Sequence, residues 1–248
     1  MKKPEVSVTI VTLNEEKNLT KCLESVKDWA GEIIVVDSGS TDKTVQIAKR
    51  FGAKVYVRDF DNFANQKNFA SKKATFEWIF SIDADEVAPK ELGKEVIDAI
   101  KKDEFDGYLI PRRNIILGAE IKHTRWNPDK HIWLWKKSKG KLHGGVHGEV
   151  GVQGKVGTLT TGKIHYQYET IDEFLQMVNS YTNPEAKERL DRGVGFSYFK
   201  LFFDPAYSFL GRFIYKKGFL DGWRGFALSY LRAIYKLAIW VKIWEKQR

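Results

Sequence analysis

Trp78-Ile79-Phe80-Ser81-Ile82-Asp83-Ala84-Asp85-Glu86 is an apolar run that ends abruptly in three carboxylates. Such a run, bounded by polar residues, reads as a buried strand of an α/β sheet. Residues just past the carboxyl end of such a strand fall where these sheets bind ligands. Asp83 and Asp85 flank the small Ala84, a spacing that suits a hard divalent cation with positions left open for a substrate's phosphates. The plainer alternative is a strand followed by helix-capping acids, since Pro89 opens a helix predicted over residues 90–101.

Upstream, strands and helices alternate. Residues 6–13 read as a strand, and Asn14 as the cap of a helix reaching Val26 whose Leu19, Cys22, Leu23 and Val26 share one face. Residues 32–37 and 54–57 are further strands, with a helix over residues 43–51 between them and another over residues 63–74. This succession implies right-handed crossovers and a mostly parallel sheet with helices on both faces. Thr12-Leu13-Asn14-Glu15-Glu16 stands where a dinucleotide fold would place G-x-G-x-x-G, and a P-loop lysine motif is missing. Instead the strand ends offer Asn14 and Glu15, Asp37 and Ser38, and Asp83 and Asp85. These converge where the base, ribose and diphosphate of a sugar nucleotide could lie.

From residue 106 the strands shorten and glycine-rich turns appear. His143 and His147 stand four apart, but the intervening glycines disfavour a helix, so zinc carries little weight. His165 sits in a predicted strand, as a metal ligand or a hydrogen-bonded core histidine. Arg112, Arg113 and Arg125 suit phosphate, or simply a solvated basic face.

The 248 residues suffice for one large α/β domain plus an appendage. Cys22 is the only cysteine, which excludes an intramolecular disulfide or a cysteine zinc site and fits a reducing cytosol. Ser7, Thr9 and Thr12 interrupt the first apolar stretch, so it reads as a strand, not a signal peptide. No uncharged run approaches the roughly 20 residues that span a bilayer. From residue 196 onward ten Lys/Arg face three acids, and 16 of the chain's 34 aromatics lie there. This shift marks a second module: residues 1–190 form the α/β domain (1–105 for the nucleotide, 106–190 for the acceptor), and residues 191–248 a helical segment.

Three ordered motifs, Val11-Thr12-Leu13-Asn14-Glu15-Glu16, Val35-Val36-Asp37-Ser38-Gly39-Ser40-Thr41-Asp42 and Ser81-Ile82-Asp83-Ala84-Asp85-Glu86, resemble the family 2 inverting glycosyltransferases of GT-A fold. Gln66-Lys67, Trp126-Asn127-Pro128-Asp129, Val146-His147-Gly148-Glu149 and Gly218-Phe219-Leu220-Asp221-Gly222 are similar to segments of bacterial enzymes that add β-linked glucose to the lipopolysaccharide inner core. The resemblance implies Mg²⁺ or Mn²⁺ held by Asp85, with Asp83 nearer the ribose and His165 completing the coordination. It also implies donor contacts from Leu13, Asn14, Glu15, Asp37, Ser38, Lys67 and Ala84, and Glu149 as general base. The metal would neutralise the leaving diphosphate. Ser38 replaces a second aspartate that many relatives use to read uracil. Gly148 separates the histidine from the glutamate, which makes Asp129 the alternative base.

Phe226, Tyr230, Ile234, Leu237, Val241 and Trp244 recur at helical spacing, with Arg224, Arg232, Lys236, Lys242 and Lys246 opposite, the composition of an interfacial membrane helix. Packing against protein would give the same stripe. The implied activity is transfer of a hexose, glucose from UDP-glucose, to a lipid-linked glycan, by an enzyme peripheral on the anionic inner face of the cytoplasmic membrane. Three rivals remain. A nucleotidyltransferase would carry a basic loop where Asn14-Glu15-Glu16 stands; a non-enzymatic membrane-binding module, or a binder of single-stranded nucleic acid, leaves Asp83 and Asp85 without a use.

Overall fold

A computed structural model of the chain describes residues 4–144 and 148–248. Val146 and His147 of the glutamate motif lie outside the described residues, and with them one histidine of the zinc alternative. The chain divides into two compact units. The first runs to Arg113 and resumes over Asp129–His165, and the second comprises Asn114–Pro128 and Tyr166–Arg248. The two units interleave along the chain, and residues 114–128 and 166–190 fall with the C-terminal helices.

The first unit opens with β1 (Val6–Thr12), α1 (Leu19–Val26), β2 (Glu32–Asp37), α2 (Thr44–Arg50), β3 (Lys54–Val57), α3 (Phe63–Lys73) and β4 (Trp78–Ser81). Next come β5 (Glu86–Val87), α4 (Lys90–Lys102) and β6 (Gly107–Ile116). After β7 (Ala119–Glu120), which belongs to the second unit, follow β8 (Lys130–Lys136), β9 (Gly140–His143), β10 (Glu149–Val152), β11 (Val156–Thr158) and β12 (Lys163–Tyr168).

The main sheet has the order β3-β2-β1-β4-β8-β6-β12-β5. Its first four strands are parallel, as the strand-helix alternation requires, with Thr9 opposite Ile34 on one side and Ser81 on the other. β8 joins β4 and β6 antiparallel, β11 lies parallel to β6 off this path, and the antiparallel bridge of β12 to β5 sets His165 opposite Glu86. Alternation along β2 explains the two faces: Ile33 and Val35 point into a core with α1 and α4, while Ile34 and Val36 point into another with Ala64 and Ala70 of α3. Gly93 lets α4 lie close on Trp29, since a Cβ there would meet the indole at 2.7 Å.

The first helix begins later than its predicted cap. Asn14 adopts φ 56°, and its N–H donates to Ser40 Oγ at 2.8 Å while its Oδ1 accepts from the Thr41 N–H at 2.9 Å. Asn14 thus clamps the loop after β1 to the loop after β2. Asparagine tolerates this left-handed conformation, which a helix cap would not need.

The second unit contains β7, a 3-10 turn (Thr124–Trp126), α5 (Ile171–Asp191), α6 (Tyr198–Leu210), a π-helical turn (Gly211–Tyr215), a second 3-10 turn (Gly218–Asp221) and α7 (Gly222–Gln247). Its core gathers Phe174, Val178 and Ala186 of α5 with Leu228, Tyr235, Ile239, Trp240 and Ile243 of α7. The expected apolar stripe of α7 is exposed, and part of its cationic face is turned to protein. Phe226, Tyr230, Leu237, Val241 and Trp244 are exposed, whereas three of the supposedly outward cations are engaged by protein. Arg224 Nε donates to the Leu117 carbonyl at 2.9 Å, Lys236 Nζ lies 3.5 Å from Glu185, and Lys242 Nζ donates to Thr182 Oγ1 at 2.7 Å. Small and apolar residues between those cations form the face that α5 and α6 cover. Among the described residues no helix is long and apolar enough to cross a membrane.

Candidate active site

Three loops at the carboxyl ends of β1, β2 and β4 form the site. Leu13 is exposed just past β1, beside the Asn14 clamp. Glu15 follows, its N–H bonded to Thr44 Oγ1 at 2.8 Å and its carboxylate accepting from Asn18 Nδ2 at 3.0 Å. Burial raises the Glu15 carboxyl above its ordinary value, and the charges of Asp85, Asp83 and Asp42 add to the rise.

Asp37 is buried, and all its acceptor positions are used within the protein. Oδ1 accepts from Thr12 Oγ1 at 3.0 Å and Ser40 Oγ at 2.5 Å; Oδ2 accepts from the N–H groups of Gly39 at 3.0 Å and Ser40 at 2.8 Å. The carboxylate shapes the turn that follows β2. Ser38 Oγ accepts from Gln66 Nε2 at 2.9 Å, which ties the same turn to α3.

The Asp83-Ala84-Asp85 loop lies across a row of cations. Lys67 Nζ stands 2.7 Å from Asp83 Oδ1, and His165 Nε2 stands 3.1 Å from Asp85 Oδ2. Burial alone would raise the Asp83 carboxyl, but Lys67 and Lys163, and then His165, hold it well below the usual carboxylate range. Burial opposes charge on His165, and the Asp85 carboxylate more than offsets it, so the imidazole titrates above its ordinary value. Ala84, between the two aspartates in sequence, is buried.

Beneath this loop Lys163 is fully buried against the carboxylate of Glu86, with its ammonium 3.5 Å from the centroid of Trp133. Burial pushes the Lys163 ammonium below its usual value despite Glu86. Glu86 Oε2 also accepts the Asp83 N–H at 2.9 Å, so the buried pair fixes the loop above it. Lys67 and Arg112 flank the same indole at 5.0 and 5.9 Å.

The candidate bases occupy one network. Arg112 Nε stands 2.8 Å from Asp129 Oδ2, His131 Nε2 stands 2.9 Å from Asp129 Oδ1, and His131 Nδ1 lies 4.0 Å from Glu149 Oε1. The Asp129 side chain is 12% exposed and held by a guanidinium and an imidazole; that of Glu149 is 79% exposed at the start of β10. An accessible carboxylate with few obligations can accept a proton from an incoming hydroxyl, whereas one committed to a guanidinium is a weaker base.

Sequence reasoning missed Lys163, the buried role of Glu86, Trp133 and His131. A signal was available for two of them: Lys163 lies two residues before His165 and His131 two after Asp129, so each shares a strand face with a residue already singled out. Among the described residues no three acids, histidines or cysteines gather as a ready-made metal site. The donors fit a cation nonetheless: a carboxylate oxygen of Asp85 and an imidazole nitrogen of His165 lie side by side, with coordination left for a ligand's phosphates.

The model of Glycosyl transferase family 2 matches residues 7–154 of this chain. The lipopolysaccharide core biosynthesis glycosyltransferase LpsC of Rhizobium meliloti is 31% identical over 253 residues, covering 97% of this chain and 92% of LpsC. An uncharacterized glycosyltransferase of Rickettsia typhi is likewise 31% identical over 254 residues, covering 97% and 87%. Among solved structures, S. aureus TarS superposes with a TM-score of 0.51 at 19% identity, over 75% of this chain and 40% of TarS. The strand ends and loops described above are thus those of a glycosyltransferase of GT-A fold, and the chain belongs to glycosyl transferase family 2.

Proposed function

We propose that this glycosyltransferase transfers glucose from UDP-glucose, with inversion, to a lipid-linked glycan of lipopolysaccharide-core type. The observation that carries the reading is the Asp85–His165 pair beside Asp83, at the strand ends of a family 2 chain whose full-length relative LpsC is named for lipopolysaccharide core biosynthesis. Asp85 and His165 would hold Mg²⁺ or Mn²⁺, which offsets the charge of the leaving diphosphate when bound.

Asp83, held by Lys67, faces the donor, and the Lys163–Glu86 pair keeps the loop in place. Leu13, Asn14, Glu15, Ser38 and Ala84 form the wall of the donor pocket, and Asp37 shapes the turn beneath it. Glu149 takes the proton of the acceptor hydroxyl as its oxygen attacks the anomeric carbon opposite the leaving group, a contribution of about 10²–10⁴ in rate. His131, between Asp129 and Glu149, orients the carboxylate.

The second unit supports a membrane-surface acceptor. α6 buries none of its residues, and Phe199, Phe202 and Tyr215 are 71%, 72% and 80% exposed among the basic residues of the tail. An apolar patch of that kind needs a partner, and aromatic rings among Lys and Arg match an anionic lipid interface. The nucleotidyltransferase and the non-enzymatic module find no support in the family match. The test is a thermal-shift screen of UDP-glucose, GDP-mannose and dTDP-glucose with and without Mn²⁺, followed by transfer of labelled glucose to a core glycolipid. UDP-glucose should raise the melting temperature most, and only with metal; preference for another nucleotide overturns the donor assignment.

A further inference from the structure

Side chains from α3, β6 and β12 converge on the indole of Trp133 in β8, all within the first unit. The ammonium of Lys163 lies 3.5 Å from the ring centroid and that of Lys67 5.0 Å, with the guanidinium carbon of Arg112 at 5.9 Å. The His131 ring, two residues earlier on the same strand face, meets the indole edge to face at 5.7 Å. One ring thus ties three cations and an imidazole to β8.

These cations are the ones that hold the carboxylates of the site. Lys67 Nζ stands 2.7 Å from Asp83 Oδ1, and Lys163 is paired with Glu86. Arg112 reaches Asp129 Oδ2 at 2.8 Å and Glu86 Oε1 at 3.6 Å. Water screens them little, since Lys163 is fully buried and the side chains of Lys67 and Arg112 are 11% and 21% exposed. Three cations gathered on one ring repel one another, and a further carboxylate among them would also repel a donor's diphosphate. An aromatic face attracts each cation without adding a formal negative charge.

The ring itself, not its polar edge, makes this contribution. The Trp133 Nε1–H is buried and has no hydrogen-bond partner among the described residues. The corresponding groups of Trp29, Trp126 and Trp240 donate to oxygens at 2.9, 3.0 and 2.8 Å.

We propose that Trp133 is a positioning residue for the transfer reaction. Its π-face holds Lys67 against Asp83 and Arg112 against Asp129, and so fixes the donor loop relative to the strand that carries the acceptor-side network. The inference rests on the reading in which Asp83 faces the donor.

Mono-, di- and trifluorotryptophan, placed at position 133 of the full chain by stop-codon suppression, keep the shape of the indole and withdraw charge from its face step by step. Calorimetry with Mn²⁺ and UDP, or whichever nucleoside diphosphate the thermal screen selects, should show affinity falling with each fluorine. The trifluoro protein should bind about tenfold more weakly than wild type, with single-turnover transfer falling in parallel. Trp133→Phe, which keeps a ring, should retain more affinity than Trp133→Met, which does not. In a Lys67→Met background the fluorine series should flatten, because the cation that the ring holds against Asp83 is gone. Equal affinity across the series overturns the proposal, as does an undiminished dependence in Lys67→Met. A lowered melting temperature with unchanged affinity overturns it too, since it makes Trp133 a packing residue only. Nucleotide binding needs no acceptor, so a wild type that binds UDP but transfers no glucose refutes the proposed substrates and leaves this comparison intact.

Discussion

Asp85 Oδ2 and His165 Nε2 stand 3.1 Å apart although 80 residues separate them in the chain. The pairing of β12 with β5 brings them together, because it sets His165 opposite Glu86, the next residue after Asp85. A metal-binding role for this pair makes the first prediction. Asp85→Ala should lower kcat/KM about 100-fold or more and abolish the response to Mn²⁺, and His165→Ala should raise the Mn²⁺ needed for half-maximal turnover about 10–100-fold. Turnover titrated with MnCl₂ measures both, and full activity in excess EDTA excludes the metal role.

Glu149 and Asp129 can be told apart by chemistry. Glu149→Gln should bind UDP-glucose normally and lose about 10²–10⁴ in kcat. Asp129→Asn should act more weakly, through displacement of Arg112 and His131. Donor binding by calorimetry alongside single-turnover rates decides the matter, and a dead Asp129→Asn with a normal Glu149→Gln reverses the assignment.

The buried Lys163–Glu86 pair predicts a non-additive stability pattern. Lys163→Met leaves the buried Glu86 carboxylate with only Arg112 Nη1, 3.6 Å from its Oε1, as counter-charge and should cost about 3 kcal/mol, a fall in melting temperature of about 10 °C. Glu86→Gln added to it removes that charge and should restore at least part of the loss. Urea denaturation of the two single variants and the double variant tests this, and strictly additive losses contradict the coupling.

Glu32 gives the pH dependence. Burial alone would raise its carboxyl, but Lys54, Ser7 and Thr75 pull it down to about 2. The folded value lies below the unfolded one, so the stabilisation is present above the unfolded carboxylate range near pH 4.5 and is lost as pH falls toward about 2. Glu32→Gln should be less stable than wild type at pH 7 by about 1 kcal/mol, since exposed Lys54 is screened by water, and the gap should close on acidification. Thermal unfolding of both proteins between pH 7 and pH 2.5 checks the sign.

The exposed rings of α6 and the π-turn predict membrane partition. Replacing Phe199, Phe202 and Tyr215 with Ser should weaken binding to anionic vesicles about tenfold per ring, and salt should weaken it further. Co-sedimentation measures both, and salt-independent or ring-independent retention excludes this surface as the contact.

The amino-acid sequence alone determined the strand ends that matter. The continuous apolar runs of β2 and β4 mark strands buried on both faces in any short window, and Asn14, Asp37, Asp83 and Asp85 fall past the strand ends by chain order. It also exposed the aromatic and basic character of the tail, because composition needs no fold to be read. Tertiary structure decided the rest. The Lys163–Glu86 pair and the Arg112–Asp129–His131 network depend on β12 and β8 joining the sheet antiparallel, and no local pattern specifies which distant strand will be the neighbour. The orientation of α7 was equally hidden: its sequence carries two apolar faces, and only the presence of α5 and α6 on one of them turned Lys236 and Lys242 inward and left Phe226 and Tyr230 outside.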